Sequence, residues 1–364
     1  MRFKISKLDF LIPLILFVNI QFTSAQTDST AKLSFTGYIE TYFCYDFGNP
    51  QNHTRPAFFY SFNKHNELNL NIGFIKANYI SSKVRANLAL MSGTYAQYNL
   101  SAENNVMQHV FEANAGFKIS KNHNFWFDAG IMPSHIGFES AIGKDCWNLT
   151  RSILADNSPY FETGAKIGYT SKNEKLYFAA LYLNGWQRIQ KVVGNQTPAF
   201  GTQITYKPNA KTTLNYSNYV GNEQPDSNKL WRNFHNFYAQ MQLTDKIGLI
   251  TGFDIGAQQK VKGESAKNIW YTPIVIARYS INNKFKIAVR AEYYKDENGV
   301  MISTSTTNGF QTFGYSLNLD YLPAENIMLR IEGRGLRSKD KVFVVGTTPS
   351  NSNYFITSSL AVSF

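Results

Sequence analysis

LSFTGYIETYFCYDF, residues 33–47, places Phe35, Ile39, Phe43, Tyr45 and Phe47 on one face and Thr36, Tyr38, Glu40, Tyr42 and Asp46 on the other. Successive side chains of an extended strand point to opposite sides, so this is a strand with one apolar and one polar face. The pattern recurs in Leu68, Leu70, Ile72 and Phe74 against Glu67, Asn69 and Asn71, and in Val84, Ala86, Leu88 and Leu90 against Arg85 and Asn87. Continued to Phe364, it predicts an all-β chain of about 16 strands, with roughly 14 to 18 allowed by the spacing.

The links between strands decide the architecture. Those near 82, 122, 173, 209, 245, 283 and 324 are a few residues long and rich in Asn, Lys, Ser, Asp and Pro, as hairpin turns require. Every intervening link is longer: 48–65, 96–108, 134–158, 188–198, 222–229, 259–268, 296–309 and 338–352. Unbroken alternation of short and long links is the pattern of a transmembrane antiparallel up-and-down β-barrel with short periplasmic turns and long outer loops. A soluble sandwich has no reason to sort its loops by length. Closure pairs the first strand with the last, so no edge is left unpaired in lipid.

Composition agrees. The chain is 15% aromatic and only 17% charged, and after residue 25 no apolar run approaches the length of a spanning helix. Arg2, Lys4 and Lys7, the apolar run Phe10–Phe22 and the small residues Thr23, Ser24 and Ala25 read as a signal peptide, residues 1–25, ahead of a single barrel domain, residues 26–364. Removing it lowers the net charge from +11 to about +9. Much of that excess sits in short turns, so it does not point to nucleic acid. Cys44 and Cys146 are compatible with an oxidising compartment but do not by themselves define a disulfide.

The longest irregular stretch, MPSHIGFESAIGKDCWNLTRSILADNSPY, residues 132–160, carries His135, Glu139, Asp145, Arg151 and Asp156. The strands around it offer Glu112, Asp128 and Glu162 to the interior, and Arg232, Arg278, Arg290, Arg330 and Arg334 lie on polar faces further on. The expectation is that 133–159 folds inward, that Glu139, Asp145 and Asp156 face Arg278, Arg290, Arg330 and Arg334, and that the resulting transverse field tunes ion preference. Neutralising Arg330 and Arg334 together would then shift selectivity toward cations. The competing reading is a ladder of satisfied ion pairs, such as Arg330 with Asp320, that rigidifies the wall without selecting anything. Interior Tyr38, Tyr42, Trp126 and Tyr238 also suggest a stacking surface for carbohydrate.

Catalysis fits poorly: adjacent Ser134 and His135 would point apart in an extended stretch, and no Gly-x-Ser-x-Gly elbow occurs. The six histidines are scattered without ligand spacing, so neither a metal nor a cofactor is expected. With only a few residues between Gln26 and the first strand, an N-terminal plug has no room, and a barrel of this strand count would keep an aqueous lumen.

The terminal alternation ending in Phe364 resembles the signature by which the barrel-assembly machinery recognises its clients. GIMPSHIGFES (130–140), NLTRSILADNSPYFETGAKIGY (148–169), LNGWQRI (183–189) and GFDIGAQ (252–258) resemble the OmpL-like β-barrel porin family over most of the chain. The resemblance implies a porin-like barrel in outer-membrane lipid of a Gram-negative cell, passing small hydrophilic solutes or ions. It supplies no catalytic residues, and a homo-oligomer follows only by analogy with porins. Two other readings are a non-conducting barrel whose surface loops bind partners and a membrane-embedded hydrolase.

Overall fold

The computed structural model describes residues 31–364, so the expected leader and residues 26–30 lie outside the described residues. The first strands are β1 (Lys32–Asp46), β2 (Leu68–Ile80), β3 (Val84–Ser92), β4 (Val110–Lys118), β5 (Asn124–Pro133) and β6 (Phe161–Thr170). They are followed by β7 (Leu176–Leu183), β8 (Ala199–Asn209), β9 (Thr212–Asn222), β10 (Trp231–Gln242), β11 (Ile247–Gln259) and β12 (Lys267–Ser280). Next come β13 (Phe285–Asp296), β14 (Phe310–Ala324), β15 (Ile327–Ser338), the short β16 (Phe343–Val345) and β17 (Thr348–Ser350), and finally β18 (Ser352–Ser363).

Sixteen of these strands form one closed antiparallel barrel in which consecutive strands pair, β15 skips the separate β16–β17 hairpin to pair with β18, and β1 closes on β18. The seam runs from Tyr38 opposite Ser363 to Asp46 opposite Phe355. Gly37 and Phe364 finish it with reciprocal backbone bonds of 2.7 and 3.0 Å. The Phe364 ring lies over Gly37, where a Cβ would come within 2.3 Å of it. The last side chain therefore needs a first strand without one at this point.

Alternation governs exposure as the strand period requires. Leu317, Leu319, Leu329, Ile331, Ile356 and Leu360 face outward, while Asn318, Asp320, Arg330, Glu332, Thr357 and Ser359 are buried inside. The short turns are built from their own polar side chains: Ser81 Oγ accepts from Val84 N at 3.0 Å, and Ser120 Oγ from His123 N at 3.2 Å.

Two long links contain structure that alternation does not announce. In 338–352, β16 and β17 form a small hairpin turned at Gly346, whose φ of +60° suits glycine. Between β3 and β4, starting two residues before the expected link 96–108, the helix α1 (Thr94–Asn99) packs against β2 and β3. The expected seventh strand, 175–187, stops at Leu183, because Gly185 takes a φ of +153° and turns the chain away.

Candidate functional site

The segment between β5 and β6 lies inside the barrel, and its entry is built residue by residue. Ser134 N bonds to Tyr160 O at 3.0 Å, closing the neck of the loop. His135 then sits with Nδ1 2.7 Å from Glu162 Oε2 and Nε2 2.8 Å from the Asn218 carbonyl, while Ser217 Oγ donates to its carbonyl at 2.7 Å. Gly137 N donates to Asn236 Oδ1 at 3.2 Å, and the Phe138 ring meets Tyr238 edge-on. These contacts draw the chain across the inner faces of β9 and β10.

Arg151, 1% exposed, holds the segment's own shape. Its guanidinium donates to the carbonyls of Ser140 (2.7 Å), Leu149 (2.7 Å) and Ala141 (3.2 Å). Ser152 caps the short helix α2 (Ile153–Asp156), accepting from Ala155 N at 3.1 Å while its hydroxyl bonds to Glu139. Trp147 lies beneath Arg278, whose guanidinium carbon is 4.2 Å from the ring centroid, and it fills the space over Gly248. A Cβ at Gly248 would stand 2.5 Å from that ring, so the wall is hollowed where the indole docks.

The far wall receives the segment with its arginines, but not as the sequence predicts. Arg330 pairs with Asp320 of its own wall at 2.6 Å and spends its other donors on the carbonyls of Gly143, Cys146 and Trp147. Arg334 pairs with Glu292 at 2.5 Å and donates to the Arg151 carbonyl at 2.7 Å. Arg290 contacts Glu332 at 3.0 Å and Glu292 at 3.3 Å, and donates to the Thr150 carbonyl at 2.7 Å. Thr150 answers with its amide and hydroxyl, both bonded to Glu332 Oε2 at 2.5 and 2.8 Å.

The expected acid-to-arginine face-off is thus reduced to one long contact, Glu139 to Arg290 at 3.9 Å. Asp145 is exposed beside a cavity of about 220 Å³ at the short-turn end, shared with Lys286. Asp156 takes a hydrogen bond from the Tyr160 hydroxyl at 3.2 Å. Burial pushes its carboxyl up to about 7, against the pull of Arg334 and Arg151. Arg278 stacks on Trp147 and forms no ion pair among the described residues. A guanidinium has five donors, and in this arrangement wall carboxylates neutralise the charge while loop carbonyls take the remaining donors.

The opposite wall is less crowded. Glu112 pairs with Lys76 at 2.6 Å, and Asp128 with Arg85 at 2.5 Å, with Arg85 stacked over Trp126. Lys166 projects inward, half-buried, without an ion pair among the described residues. Arg232 donates twice to Gln258 and lies between Trp186 and Trp270.

The suggested stacking surface does not form. Tyr38 and Tyr42 are buried and occupied by the amides of Lys144 and Lys64, whereas Trp126 and Tyr238 are half-buried on β5 and β10, away from β1 and from each other. His135 has both ring nitrogens engaged, and no serine hydroxyl bonds to either. Among the described residues no group of His, Cys, Asp or Glu is placed to hold a metal ion. Cys44 and Cys146 are buried free thiols.

Two docking residues carry no signal in the sequence, Thr150 and Trp147, and the pairing of Lys76 with Glu112 in the wall carries none either. Thr150 acts through its backbone amide and carbonyl as well as its hydroxyl, and Trp147 depends on a hollow made by a glycine far along the chain. The interior itself departs from the expected open lumen. α2 and Tyr160 pack with α1 and β2 in one apolar cluster, and Leu149 and Ile153 join Phe58, Phe59 and Phe62 in another.

Three solved structures share this architecture. The anion-selective porin from Comamonas acidovorans matches with a TM-score of 0.60 at 9% identity, over 92% of this chain and 100% of that one. OmpF of Salmonella typhi, in complex with daunomycin, matches at 0.62 and 10% identity over 93% and 99%. OmpT of Vibrio cholerae in its trimer form matches at 0.59 and 10% over 92% and 100%. Identities this low establish likeness of fold. A comparison with curated protein sequences found no match. Residues 32–364, nearly the whole described barrel, match the family described as Putative beta-barrel porin-2, OmpL-like, and the chain belongs to that family.

Proposed function

We propose that the barrel lets small hydrophilic solutes and ions diffuse passively across the outer membrane, with the segment between Ser134 and Tyr160 setting the constriction. The observation that supports this best is the asymmetry of the interior. The segment's backbone is bonded to the β13–β15 wall, while Lys76, Arg85, Trp126, Lys166, Tyr177 and Gln203 face inward from the opposite side only half-buried. Arg290, Arg330 and Arg334 are neutralised by wall carboxylates, so the charge a solute meets on the less crowded side comes from Lys166, which has no ion pair among the described residues, rather than from Arg330 and Arg334. A lining with spare positive charge favours anions.

Reversal potential in a salt gradient across a planar bilayer tests this reading. Discrete conductance steps with mild anion preference support it, and a silent membrane refutes it. The non-conducting reading draws support from the two apolar clusters packed inside the barrel, and the same recording separates the two. Insertion by the barrel-assembly machinery through the exposed Phe364 and homo-oligomerisation belong to the same proposal.

A further inference from the structure

The long-loop end carries a second, separate site. The link after β1 folds back over the barrel mouth, with Arg55 N bonded to Asn63 O at 2.9 Å and Thr54 bridged to Lys64. Beneath it lies a cavity of about 780 Å³, within the range of small-ligand pockets. Asp46, Arg55, Asn63 and Asn353 line it, each no more than 3% exposed.

Their hydrogen-bonding capacity is only partly used. Asp46 Oδ1 accepts from Gly48 N and Asn353 Nδ2, both at 2.7 Å, and Arg55 Nη1 donates to the Phe62 carbonyl at 3.2 Å. Asp46 Oδ2 has only the 3.5 Å ionic contact with Arg55 Nε. Among the described residues, Arg55 Nη2, both amide atoms of Asn63 and Asn353 Oδ1 have no hydrogen-bond partner. Buried polar atoms in proteins are almost always paired, so this many at one cavity is a concentration that calls for a ligand.

The unpaired atoms include donors and acceptors together, the demand that hydroxyl groups meet because each can do both. Arg55 is clamped between the rings of Phe59 (3.9 Å) and Phe355 (3.6 Å), leaving its edge rather than its faces for contact. Phe58, Tyr60, Tyr98, Phe310 and Phe343 give the cavity apolar walls. Among the described residues Asp46 and Arg55 are the only charged ones lining it and they cancel, so a charged guest would find no net counter-charge. We infer that this outer cavity binds a neutral saccharide, with ring C–H faces against the aromatics and hydroxyls on Asp46, Arg55, Asn63 and Asn353. Onward transit of that sugar rests on the diffusion reading, but its binding does not.

Saturation-transfer NMR on the full barrel in detergent tests this without any need for conduction. The probes are glucose, maltose, sucrose and lactose at millimolar concentration, with gluconate and glucosamine as charged controls. At least one neutral sugar should bind, and Asn63→Leu should weaken it about tenfold, the cost of one or two hydrogen bonds. Because neither side-chain amide atom of Asn63 is bonded to any described residue, that variant keeps the network described above. Ser303→Trp, at a second lining position, should abolish the signal by filling the space. Failure of all four sugars, equal binding of the charged controls, or binding indifferent to both variants in a folded barrel would overturn the assignment. Sugar binding in a barrel that passes no current would retain this site and reject diffusion.

Discussion

Glu332 is the carboxylate on which docking of the inner segment most depends, and Glu332→Ala is its sharpest perturbation. Glu332 is fully buried; Oε2 accepts the amide and hydroxyl of Thr150, and Oε1 faces Arg290 Nη2 at 3.0 Å. Hydrogen bonds to a charged group contribute about 1.5–3 kcal/mol each, and stripping one partner from a buried ion pair costs about 3–5 kcal/mol. Arg290 keeps Glu292 at 3.3 Å, so part of the second cost is offset. A net loss of about 3 kcal/mol from the docked state would raise the ratio of released to docked segment about a hundredfold. Single-channel recording reads this as time spent in a larger-conductance level. Thr150→Val, which removes only the hydroxyl, should move the same ratio about fivefold. An unchanged trace from Glu332→Ala, in a barrel that still shows heat-modifiable gel mobility, would mean that the segment is not held by this wall.

Other perturbations test separate parts of the account. Neutralising Lys166 to Gln should move the reversal potential toward cation preference. Neutralising Arg330 and Arg334 together should instead lower the unfolding midpoint with little change in selectivity, and the opposite pattern would refute the neutralised-belt reading. Asp156 has a folded-state pKa near 7, above its ordinary value, so its contribution to docking is full below about 4 and is lost as pH rises through 7. Conductance should therefore increase from pH 4 to 8, and Asp156→Asn should flatten that rise; a pH profile identical in the two proteins would contradict it. Cys44 and Cys146 should resist maleimide in the folded barrel and react after denaturation, and labelling of either in the native state would contradict their burial.

The barrel was legible because it follows from periodicity: the two faces of residues 33–47 and the alternation of short and long links are consequences of strand geometry. The inward path of the long segment was suggested by its length and its position between strands with acidic inner faces. Its docking chemistry was not legible, because the bonds that matter run from Arg290, Arg330 and Arg334 to backbone carbonyls, which every residue possesses. Asp320 as partner of Arg330 could be foreseen from neighbouring-strand position, and it is the pair that forms at 2.6 Å. The pairing of Trp147 with the hollow at Gly248 depends on register between distant strands, which alternation alone leaves open. The outer cavity was equally hidden, since it joins the link after β1 to residues near 302, 343 and 353.

The central claim is that this porin barrel conducts around a segment docked in its lumen. Single-channel conductance of the natural chain, set beside a chain in which residues 138–155 are replaced by a short Gly-Ser linker, tests that claim most directly. The account predicts discrete steps from the natural barrel and steps several times larger from the shortened one. A natural barrel that is silent, or two barrels with equal steps, would contradict it.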